Sequence, residues 1–69
     1  MEDVKKLVGQ NVRRLREEAG LSQEKLALEA ELDRTYVSGV ERGVRNPTVT
    51  VLARIAKALK TEPDKLLIR

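Results

Sequence analysis

Between Ser22 and Gly43 the sequence sets two short runs of helix-forming residues, joined by nothing more than Glu31, Leu32 and the capping residue Asp33. That spacing constrains the fold more than any other feature of the chain. Two helices joined so tightly cannot fold back antiparallel, and they must cross steeply. Ser22 suits the N-cap of a helix over 23–30, and Glu24 in its first turn complements the positive helix end. Leu26, Ala27 and Ala30 make its inner stripe. Asp33 caps the next helix, over 34–42, whose inner residues are Val37 and Val40 and which Gly43 ends.

The flanking sequence supplies the remaining helices. Val4, Leu7, Val8, Val12, Leu15 and Ala19 recur in steps of three and four, one stripe of an amphipathic helix that Gly20 closes. Gly9 lies inside it, at a cost of about 1 kcal/mol against alanine unless close packing compensates. Asn46-Pro47 makes a turn, because the residue before proline avoids helical dihedrals. Thr48 caps a fourth helix with Val49, Leu52, Ile55, Ala56 and Leu59 inward. Pro63 suits the first position of a last helix carrying Leu66 and Leu67. No stretch alternates with a period of two, so strands are not expected. The expectation is an all-α, compact five-helix domain over residues 1–69, with a helix-turn-helix at about 22–42.

Composition narrows the function. Sixty-nine residues make one domain with a modest core. Cysteine and histidine are both absent, which removes thiolate metal sites, the commonest metal ligand and the commonest general base. No acidic cluster replaces them, so neither an enzyme nor a metal or other cofactor is expected. There is no long apolar run and no signal-peptide core after Met1, and the chain reads as cytoplasmic.

The net charge is +3, and its distribution is uneven. Residues 33–60 carry Arg34, Arg42, Arg45, Arg54, Lys57 and Lys60 against only Asp33 and Glu41, whereas residues 1–32 are slightly acidic. A polyanion is the natural partner of such a patch. Arg54, Lys57 and Lys60 read as solvated surface.

With Val37 and Val40 facing inward, the outward face of the third helix is Thr35, Ser38, Gly39 and Arg42, with Arg34 and Tyr36 flanking its start. A short, basic, acid-poor helix of this kind fits the major groove, about 12 Å wide. Arg34 can fork onto guanine, Thr35 can offer thymine a methyl or any base a hydroxyl, and Ser38 can hydrogen-bond a base or remain solvated. Tyr36 either reaches the DNA backbone or covers the rim of the core. Gly39, costly in mid-helix, implies close approach of DNA or of another helix, and its outward position favours DNA. Backbone contacts are expected from Gln23 at a helix start and from Arg42, Arg45, Asn46 and Thr48. Glu41 falls beside the inward stripe and needs a partner. Arg16 occupies the matching flank of the first helix, so an Arg16–Glu41 ion pair is expected.

These residues resemble a known family. Leu15-Arg16-Glu17-Glu18-Ala19-Gly20-Leu21-Ser22-Gln23-Glu24-Lys25-Leu26-Ala27 is similar to the first half of lambda-repressor-like, or Cro/XRE-type, helix-turn-helix domains. Asp33 to Gly43, then Arg45-Asn46-Pro47-Thr48, is similar to their recognition helix and the loop after it. The resemblance implies a five-helix DNA-binding domain, commonly a two-fold dimer on a palindromic operator. It also implies a phosphate-gripping glutamine at Gln23, base-reading residues at Arg34, Thr35, Ser38 and Gly39, and a buried pair at Arg16 and Glu41. Leu32-Asp33-Arg34-Thr35-Tyr36 resembles controller proteins of restriction-modification systems. Lys60-Thr61 departs from the Gly-Val common in the family, and the family's dimer contact would fall on Leu67 and Ile68.

The expected function is sequence-specific binding of double-stranded DNA as a homodimer, in transcriptional regulation and as a repressor. The alternatives are a protein-interaction module, such as an antitoxin or adaptor, and the excised DNA-binding domain of a larger regulator.

Overall fold

A computed structural model describes residues 3–68. They form four α-helices, α1 (Val4–Glu18), α2 (Gln23–Ala30), α3 (Arg34–Glu41) and α4 (Val49–Ala58), followed by one 3-10 turn at Pro63–Leu66. The described residues contain no strand. The expected fifth α-helix is corrected to this single turn. Glu62 offers no side-chain cap to its start. The segment closes only tight bonds, Lys65 N–H to the Glu62 carbonyl and Leu67 N–H to the Asp64 carbonyl, both 3.0 Å, and such 3-10 geometry rarely propagates.

Side chains specify where each helix starts. Asp3 accepts from the N–H groups of Lys5 and Lys6, Ser22 from Lys25, Asp33 from Thr35 and Thr48 from Val51. All four helices end alike, by a residue in the left-handed region followed by paired backbone bonds. Glycine fills that position after α1 and α3, at Gly20 (φ 73°) and Gly43 (φ 76°), but Glu31 (φ 58°) and Lys60 (φ 59°) fill it after α2 and α4. Gly43 places Arg42 as the C-cap, so α3 stops one residue short of the expected 34–42.

The core is almost entirely small and aliphatic: Val8, Val12, Leu26, Ala27, Ala30, Val37, Val40, Ile55, Ala56 and Leu66. α3 packs against both α1 and α2, α4 lies on α2, and the 3-10 turn bridges α4 and α1. Gly9 is where α1 meets the end of α3. A Cβ there would lie 2.4 Å from the Val40 carbonyl oxygen and 2.8 Å from that of Glu41. Close packing therefore requires this glycine. Val49, placed inward by periodicity, is 80% exposed. It opens its helix, where a side chain leans back past the first turn and away from the core cluster.

Asn11 is buried although polar. Its amide donates to the carbonyls of Leu66 (2.9 Å) and Ile68 (2.6 Å), fastening the end of the chain to α1.

Candidate nucleic-acid interface

The starts of α2 and α3 open onto a shared shallow cleft lined by Gln23, Asp33, Arg34, Thr35 and Ser38. The steep turn at Glu31–Asp33 brings them together. Asp33 fixes the start of α3 twice, accepting from the Thr35 hydroxyl and from its backbone N–H at 2.8 Å. Those two bonds hold the fully exposed Asp33 carboxyl below its ordinary value of 3.8. They also commit the Thr35 hydroxyl proton to its cap.

Arg34, Thr35 and Arg42 are exposed, and Ser38 is half-buried. Among the described residues, Arg34, Arg42 and Arg45 take part in no ion pair. Three charged guanidinium groups thus border a face on which the Asp33 carboxylate is occupied with capping. Asn46 and Thr48 are exposed beyond α3, and the Thr48 hydroxyl accepts the Val51 N–H at 3.2 Å.

The expectation that Gly39 faces outward is corrected. Gly39 is buried beneath the side chain of Arg45, whose Cγ would stand 2.5 Å from a Cβ at position 39. The group that covers it is a side chain of the following loop. Tyr36 is half-buried against the core, and the Arg45 guanidinium carbon stands 5.5 Å from its ring centroid.

Arg16 and Glu41 form a two-point pair, Nε to Oε2 at 2.6 Å and Nη2 to Oε1 at 3.1 Å. Their side chains are only 12% and 3% exposed. Arg16 also donates to the Leu21 carbonyl at 2.8 Å. The hydrogen bonds that Glu41 accepts push the already high Arg16 pKa further up, against the opposing effect of burial. Gln23 joins this cluster, its side-chain amide donating to Glu41 at 3.0 Å. One carboxylate on α3 thereby holds both α1 and the first residue of α2.

Arg54, read from sequence as solvated surface, is instead half-buried. It donates to the Ala30 carbonyl at 3.0 Å and to the Glu31 carbonyl, satisfying the end of α2. Leu67 and Ile68 are 46% and 49% exposed. Asn11 and Arg54 were both missed as structural ties. Asn11 carried a signal, since it interrupts the apolar stripe between Val8 and Leu15; Arg54 carried none, because its partners are backbone carbonyls.

Comparison with known proteins agrees with this geometry. A family model described as helix-turn-helix matches residues 12–66. The chain is 46% identical over 66 residues to the control protein C.BamHI of Bacillus amyloliquefaciens, covering 94% of this chain and 82% of that protein. Among solved structures, the restriction-modification controller protein C.AhdI of Aeromonas hydrophila superposes with a TM-score of 0.88 at 48% identity, covering 90% of this chain and 94% of that one. The controller protein C.Esp1396I, solved as a tetramer with its natural 35 base-pair operator, superposes with a TM-score of 0.83 at 39% identity, over 90% of this chain and 82% of that one. The match runs from the middle of α1 through both crossing helices to the last turn, and the chain belongs to the helix-turn-helix family of Cro/XRE-type domains.

Proposed function

We propose that the protein is a transcriptional regulator of the restriction-modification controller kind, acting in the cytoplasm as a homodimer that reads duplex DNA with α3. The observation that carries this reading is the exposed face of Arg34, Thr35 and Arg42, whose guanidinium groups have no carboxylate partner among the described residues. A helix so charged and so capped fits a major groove start-first, with base edges meeting its first turn. The operator bound by C.Esp1396I supports the same partner for this chain. Residues 1–69 act as one domain and the role is binding, not catalysis. Arg34 and Thr35 read bases, with Ser38 beside them, while Gln23, Arg42, Arg45, Asn46 and Thr48 grip the backbone. Leu67 and Ile68, exposed at the end of the chain, supply apolar surface to the second copy.

Selection of bound sites from random duplexes tests the reading. It should return a two-fold motif with half-sites about one helical turn apart. Arg34→Ala should then lose about 1–3 kcal/mol on the selected site and relax its preference at one base pair per half-site. An unchanged specificity profile in that variant removes Arg34 from the base-reading set.

A further inference from the structure

Arg45 is tied to Gly39 at two levels. Its backbone N–H donates to the Gly39 carbonyl at 3.2 Å, beside that of Val44 at 3.0 Å, so the turn after α3 folds the loop back onto the helix. Its aliphatic stem then lies across Gly39, in the space that any Cβ would occupy. The stem leads the guanidinium toward Tyr36, one turn earlier on the same side of α3, where it stands 5.5 Å from the ring centroid. A guanidinium over an aromatic face is attracted by the ring's quadrupole and still presents donors at its edge.

We propose that Gly39 and Tyr36 form a seat that holds Arg45 ready for a DNA phosphate, making Gly39 a positioning residue and not a base-reading one. This rests on the DNA-binding reading above. A long exposed side chain normally has to be ordered when a partner binds, and a seat removes that cost in advance. Arg45 fits a phosphate through its charge and its forked donors. A group positioned that way strengthens binding to every duplex and carries no sequence preference.

Tyr36 is the sole aromatic residue of the chain, so the near-ultraviolet circular dichroism of the free protein reports its surroundings without interference. Wild type, Gly39→Ala, Arg45→Ala and the double variant are compared by that signal, by thermal melting and by affinity for a selected and a random duplex at fixed salt. Both single variants should change the tyrosine signal, and the double variant should match Arg45→Ala. Gly39→Ala should melt no lower than wild type, because alanine is the better helix former. It should bind both duplexes about two- to tenfold more weakly, the range expected for ordering one long side chain. In the Arg45→Ala background the same substitution should change affinity by less than about twofold, within the additivity expected when the shared partner is gone.

An equal loss in that background would mean the added methyl meets DNA directly and would overturn the proposal. Tighter binding by Gly39→Ala would overturn it too, showing Arg45 to be a cover that must leave. An unaltered tyrosine signal would rule out the seat in the free protein. If Gly39→Ala does not fold, Tyr36→Leu tests the seat from its other end by the same pair of affinity comparisons. Failure of wild type to bind any duplex would refute the DNA-binding reading, while the tyrosine signal would still judge the seat.

Discussion

At the scale of single residues, the Arg16–Glu41 pair shows how much a helical wheel can reveal. Glu41 sits beside an inward stripe, and a carboxylate there needs a partner with a long reach. In the fold it takes three hydrogen bonds, two from Arg16 and one from Gln23. Removing Arg16 leaves a nearly buried carboxylate with only an amide donor. Arg16→Ala should therefore cost about 3 kcal/mol, read as a lower denaturation midpoint at unchanged slope; an unchanged midpoint would contradict the pairing. Gly39 shows the opposite case. The wheel placed it outward, yet a wheel holds one helix at a time and could not foresee that Arg45, six residues on, would return to bury it.

At the scale of elements, three of the four α-helix starts were legible and half of the helix ends were not. Ser22, Asp33 and Thr48 each stand before an apolar stripe and cap it through a side-chain oxygen. Gly20 and Gly43 mark left-handed ends that glycine enters without strain. Glu31 and Lys60 adopt the same conformation without that freedom, at a cost that helical propensity alone cannot justify. For Glu31 the compensation is visible, since Arg54 ties down the carbonyls on either side of the turn.

The Asp33 cap has a consequence for pH. Its carboxyl titrates lower in the fold than in the unfolded chain because Thr35 bonds the charged form. The stability it adds is complete above the ordinary carboxylate range and is lost as pH falls through the lowered value. An asparagine in its place would cap without titrating. The difference in melting temperature between wild type and Asp33→Asn should stay constant from neutral pH down to about pH 5 and change below about pH 4. A difference that stays constant into strong acid would rule out this linkage.

At the scale of the whole molecule, the uneven charge along the sequence becomes a surface. The cations of residues 33–60 separate in space: Arg34, Arg42 and Arg45 border the α3 face, Arg54 is spent on the end of α2, and Lys57 and Lys60 are exposed at the end of α4 and just beyond it. With Arg42 and Arg45 each meeting one phosphate in both copies of a dimer, the slope of log affinity against log salt should be about −3.5. Arg45→Ala should reduce that slope by about half. Titrations of one duplex at several salt concentrations measure it, and a flat response would rule out phosphate neutralisation as the source of affinity.

The sequence by itself determined the helical class, the steep crossing of α2 and α3, the caps that start them and the polar, basic character of the α3 face. These follow from local periodicity, capping chemistry and the shortness of one connection, all of which are properties of neighbours along the chain. The tertiary structure alone decided that the last segment stops after one 3-10 turn, that Asn11 and Arg54 serve distant carbonyls, and that Arg45 lies over Gly39. Each of those depends on backbone groups or side chains brought together only when the helices pack, and no pattern along a single helix records where such partners will come to rest.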